Sequence, residues 1–271
     1  MTEAFDYHLA AAFDRHLEAD ADAVALVVGD QEWTRAEIAD LAARAAGSLA
    51  QLGAEPGSAV VAQYDTGPGD LALALAAARL GCTFLPVPKR TGAYELNYML
   101  TLVKPVLFSI HPDVVPPGLD VPGATTMRAV DDVVRGRAVD APIHQGPASD
   151  VAVVGVTSGS TGYPKAVMHT WSSLAWTADR MAKLGSVRPG EAISVTGAGA
   201  GAPGFTFFTY LGLTHGVQIV RSERWDPPRV LELMARRRCV WSTIVPTMLY
   251  MLLEAQHAAE RPFDLSSMRA I

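Results

Sequence analysis

With 271 residues, 49% hydrophobic and 18% charged, the chain holds enough apolar material for one large or two smaller packed domains and too much for a disordered one. A net charge of -6 argues against a nucleic-acid partner, which would want a basic stripe. Two cysteines, Cys82 and Cys239, exclude a disulfide framework and suit a reducing cytoplasm. Met1 to Asp22 mixes acids, histidines and alanines without a basic-then-apolar signal pattern. The longest apolar run, near Leu71 to Ala78, falls well short of the ~20 residues a membrane helix needs.

Strand-like and helix-like segments alternate along the chain, which predicts an α/β fold of stacked, mostly parallel sheets flanked by helices. Val24 to Val28 reads as a short strand. Thr34 then caps a helix, with Glu37 completing a capping box and Gly53 stopping it. Ser58 to Gln63, Thr83 to Val87 and Val106 to Ile110 read as strands, separated by helices over Asp70 to Leu80 and Tyr94 to Val103. From His111 to Ala148 prolines and glycines break the pattern, and only Met127 to Val134 suggests a short helix. This places a first subdomain at residues 1–145 and a second at 146–271. In the second, strands are expected at Val151 to Val156, Ala192 to Val195, Val217 to Arg221 and Val240 to Val245. Helices are expected from a Ser172 or Ser173 cap to Leu184, over Phe205 to Leu213, from Pro227 to about Arg238, and over Thr247 to Ala258.

The most informative segment is Thr157-Ser158-Gly159-Ser160-Thr161-Gly162-Tyr163-Pro164-Lys165, set between two apolar β-like runs. Glycines allow backbone N–H groups to approach an anion closely. Thr157, Ser158, Ser160 and Thr161 add hydroxyl donors, and Lys165 adds a point charge. A polar hairpin without a ligand is the plain alternative, but four hydroxyls, two glycines and a lysine in nine residues favour phosphate. The common NTPase loop has Gly-Lys-[Ser/Thr] opening a helix. Here Pro164 separates Gly162 from Lys165, and a strand-like run follows.

Thr157 to Lys165 resembles the signature loop of the adenylate-forming superfamily: acyl- and aryl-CoA synthetases, luciferases and the adenylation domains of peptide synthetases. Trp33-Thr34, Gly81 to Pro88, Val245 to Leu249 and Asp264 to Arg269 resemble further family segments in the same order. The resemblance implies an N-terminal portion of an AMP-forming ligase. Such an enzyme joins ATP and a carboxylic acid, a fatty or aromatic acid among others, into an acyl-adenylate and pyrophosphate, then passes the acyl group to coenzyme A or another thiol. ATP, Mg2+ and coenzyme A are the implied small molecules, and the cytoplasm the implied compartment. The family's acyl pocket and thiol gate fall on Ala202, Gly204, Phe205, Phe208, Pro246 and Thr247, with small Ala202 where a larger side chain often stands. Plain core packing is an equal reading for each phenylalanine.

The family's adenine- and Mg2+-holding Tyr-Gly-x-Thr-Glu-like segment, its ribose-binding aspartate and its mobile domain with a catalytic lysine have no counterpart up to Ile271. The expectation is a fragment that is inactive alone and self-associates, as a homodimer, through an uncovered sheet edge. Two other readings stay open: a non-catalytic nucleotide- or polyphosphate-binding module, and a dinucleotide-binding protein. The latter rests on Gly199-Ala200-Gly201-Ala202-Pro203-Gly204, where Pro203 and the bulky aromatics that follow argue against it. Among the other residues, His169 and His215 are isolated from any second ligand at metal spacing, and Lys89-Arg90 is expected to face solvent.

Overall fold

The computed structural model describes residues 8–157, 165–196 and 204–271. Eleven strands among them form two sheets. The first contains β1 (Val24–Val28), β2 (Gln31–Thr34), β9 (Ala192–Val195), β10 (Gln218–Arg221) and β11 (Trp241–Thr243), in the order β11-β9-β10-β1-β2. The second contains β3 (Ala59–Tyr64), β4 (Thr83–Pro88), β5 (Leu107–Ile110), β6 (Thr126–Ala129), β7 (Val151–Thr157) and β8 (Lys165–Thr170), in the order β6-β5-β3-β4-β7-β8. Both are parallel except at one edge, where β2 and β8 run antiparallel to their neighbours. The expected fold of stacked, mostly parallel sheets is therefore present. Each sheet takes strands from both sides of residue 145, so the division expected there is not one between sheets.

The period-two side-chain alternation sorts residues onto the two faces of each sheet. Leu26, Ile193 and Ile219 of the first sheet, and Val60, Ala62 and Phe84 of the second, face one shared core. Packed in that core are α1 (Leu9–Ala19), α2 (Arg35–Gln51), α3 (Pro68–Arg79) and α6 (Trp171–Leu184). The opposite face of the first sheet, with Val27 and Val220, is covered by α8 (Pro227–Arg236) and by Leu252 of α9 (Pro246–Ala258). The opposite face of the second, with Val61, Leu85 and Val87, is covered by α4 (Ala93–Val103). Helices and sheets thus alternate in five layers, with α3 at the centre. A four-residue helix, α5 (Val130–Val133), follows β6.

Local chemistry explains several boundaries. Thr34 caps α2: its hydroxyl accepts the Glu37 N–H at 3.2 Å and the Glu37 carboxylate accepts the Thr34 N–H at 2.8 Å, as the capping box predicts. The cap of α6 is Thr170, whose hydroxyl accepts the Ser173 N–H at 3.2 Å, and not Ser172 or Ser173. The Met127 region begins as strand β6, paired with β5, before α5 starts. Phe205 to Tyr210 is wound as a π-turn and only then passes into α7 (Leu211–His215). Such turns arise where a helix must take up an extra residue, and they occur frequently at functional sites.

Candidate active site

The parallel strands of both sheets end at one edge. In the first sheet Val195, Arg221 and Thr243 lie level with one another. In the second, Tyr64 pairs with Pro88. The register that pairs Phe84 with Val153, continued four residues, carries Thr157 to the level of Pro88. Thr157 itself pairs with Lys165 across the β7–β8 hairpin, and both are exposed. The two ends of the hydroxyl- and glycine-rich segment are therefore held opposite each other at the carboxyl edge. Ser158, Gly159, Ser160, Thr161 and Gly162 lie outside the described residues, as do Ala202 and most of the Gly199-to-Gly204 run.

A cavity of about 600 Å³ opens at this edge between the two sheets. Alternating charges line it. Arg221, at the end of β10, donates to the Asp65 carbonyl and stands 3.4 Å from the Asp65 carboxylate. Lys89, just past β4, lies 3.7 Å from that carboxylate and 3.4 Å from Asp113. Lys89 thus takes part in a network and is not the plain solvent-facing lysine expected. Open α/β sheets bind ligands in crevices outside the carboxyl ends of their strands, which was the signal available for Asp65, Lys89, Asp113 and Arg221.

Beside this network the chain supports its own framework. Asp70, 1% exposed in the first turn of α3, accepts the Asp65 and Gly67 N–H groups at 3.1 and 2.9 Å. Its other oxygen meets His111 Nε2 at 3.3 Å. Burial pulls the His111 pKa down, but the hydrogen bond and charge of Asp70 together outweigh it and leave the value raised.

Of the pocket candidates, Gly204 opens the π-turn and is buried. Phe205 packs against Tyr64 and Phe84 of the second sheet, at ring distances of 5.8 and 5.6 Å, and Phe208 against Trp241 of the first at 6.1 Å. Tyr64 hydrogen-bonds Thr209 at 2.8 Å. The π-turn therefore ties the two sheets together directly beneath the edge. Pro246 and Thr247 are exposed at the start of α9, next to Met248 in the cavity wall. Among the described residues no group of three or more His, Cys, Asp or Glu side chains gathers to hold a metal. No described helix is long and apolar enough to cross a membrane.

The AMP-binding enzyme family matches residues 13–271. The chain belongs to that family. As an AMP-binding family member it is 32% identical over 168 residues to pyochelin synthetase PchE of Pseudomonas aeruginosa, covering 60% of the chain and 11% of the synthetase. It is 26% identical over 274 residues to indoleacetate–CoA ligase of Aromatoleum aromaticum, covering 95% of the chain and 53% of the ligase. The chain thus spans about half the length of that ligase. Its fold matches the inhibitor-bound N-terminal domain of FACL13 from Mycobacterium tuberculosis with a TM-score of 0.84 at 24% identity, over 96% of this chain and 68% of that one.

Proposed function

We propose that this chain supplies the pyrophosphate-side half of an acid-activating site. There a carboxylate attacks the α-phosphorus of ATP, giving an acyl-adenylate and pyrophosphate, and a thiol then takes the acyl group with release of AMP. The observation that carries this reading is the pairing of Thr157 with Lys165 at the carboxyl edge shared by both sheets. That pairing fixes the two ends of the segment rich in hydroxyls and glycines at this edge. Negative charge grows on the departing pyrophosphate, so a lysine and hydrogen-bond donors that meet it favour the transition state over the ground state.

Gly204, Phe205, Phe208, Pro246 and Thr247, together with Ala202, are the proposed acyl side of the site. Coenzyme A is the favoured acceptor because the indoleacetate–CoA ligase likeness spans nearly the whole chain. The PchE likeness makes a carrier-borne thiol the alternative.

The test is acid-dependent exchange of labelled pyrophosphate into ATP, paired with calorimetric ATP binding, on the protein containing this chain and its Lys165→Ala variant. We expect exchange to fall at least tenfold, with the unfolding midpoint unchanged because Lys165 is exposed. Exchange that is indifferent to the substitution overturns the role of the loop. ATP binding without any acid-dependent exchange favours a non-catalytic nucleotide-binding module.

A further inference from the structure

A second cavity, of about 470 Å³, lies at the opposite end of α3 from Asp70. Phe13 and Leu17 of α1, Ala42 and Ala43 of α2, Leu75 of α3 and Val139 line it. It exists because α2 presents small side chains where α1 and the segment 138–141 come together, so nothing fills the gap. Its walls are fixed. Val139 donates to the Ala43 carbonyl at 3.1 Å, and Arg79 to the Ala141 carbonyl at 3.2 Å. At Gly47 even a Cβ would stand 1.9 Å from the Arg137 carbonyl oxygen, so this segment lies directly on the α2 backbone. A preformed, mainly apolar cavity of this size is of the kind that takes a small molecule.

The polar groups of the wall select the ligand. Asp14 is held by both of its oxygens on Arg79, at 2.6 and 2.7 Å, which neutralises that pair. Glu18 and Asp140 also line the cavity, are exposed, and make no ion pair among the described residues. An apolar floor beneath two uncompensated carboxylates repels acids and nucleotides and attracts positive charge. We propose that this cavity binds a small organic cation, a protonated amine whose apolar body rests on Phe13, Ala42 and Leu75 while its ammonium faces Glu18 and Asp140.

The probe is 2-phenylethylammonium, titrated into 15N-labelled protein and followed by amide shifts. Neutral 2-phenylethanol and anionic 3-phenylpropionate serve as controls. Saturable shifts are expected at residues 13–18, 39–43 and 138–141, with clearly weaker response to either control. The double variant Glu18→Gln, Asp140→Asn should bind roughly three- to tenfold more weakly, the range for two solvent-exposed charge pairs. Ala39→Leu, at another lining position and with a good helix former, should abolish binding while leaving the rest of the spectrum in place. The proposal is overturned if the ammonium does not saturate or if the alcohol binds equally tightly. It is likewise overturned if either variant keeps its affinity.

Discussion

Helices α3 and α9 are similar in length, both start with proline, and both are rich in leucine, alanine or methionine. Their fates differ. In α3 every residue from Gly69 to Ala78 is buried, whereas in α9 only Leu252 is. Tyr250, Leu253 and Val245 stand at 63%, 50% and 58% exposure on and beside α9. Composition does not decide burial. Position among the layers does: α3 has a sheet on either side, and α9 rests on the outer face of one.

This contrast can be broken experimentally. Leu73, fully buried in α3, should cost about 3–5 kcal/mol on truncation to alanine, because its neighbours on all sides are fixed and the cavity cannot collapse. Urea denaturation measures this, and a loss under 1 kcal/mol would mean the central layer is loosely packed. Acid should act on the same layer through His8, which stacks on Trp171 at 4.7 Å. Burial first, then the nearby Arg79 charge, lowers its pKa from 6.5 to about 4. Folding therefore favours the neutral ring. Its contribution is complete above pH 6.5 and is lost as pH falls towards 4, by up to roughly 3 kcal/mol. His8→Phe should flatten that part of the stability–pH curve, and an unchanged slope would place the proton uptake elsewhere.

Tyr64→Phe should cost about 1–2 kcal/mol, since it leaves the buried Thr209 hydroxyl without its partner. A double-mutant cycle with Thr209→Val isolates that bond; no coupling would make the pairing incidental. The smallest effect belongs to α9. Leu253→Ala should change stability by no more than about 0.5 kcal/mol, and a loss as large as that at Leu73 would erase the distinction between the two helices.

Legibility in the sequence followed the range of the forces involved. The Thr34–Glu37 capping box, the arrest near Gly53 and the run of central strands are set by neighbours a few residues away, and all could be read. Helix α1 could not. Its buried residues Leu9, Ala10, Ala12 and Phe13 are interleaved with acids, arginine and histidine whose partners lie far along the chain. Arg79 holds Asp14, and the Thr214 carbonyl accepts from His16 Nε2. Strand β6 is four residues long and owes its form to pairing with β5, so its own sequence carries little signal. Of the candidate site, the hydroxyl–glycine–lysine string could be singled out in the sequence because its chemistry is contiguous. The Asp65, Lys89, Asp113 and Arg221 network could not, because its members lie at or just past the ends of four different strands, which meet only once both sheets have formed.

The pairing of Leu26 with Ile219 has a consequence for biosynthesis. The β1–β2 hairpin is synthesised well before the rest of its sheet, whose remaining strands begin only at Ala192. At translation rates of about 5–20 residues per second, it waits on the order of ten seconds or more with an open flank. During that interval the intervening six-stranded unit can assemble first.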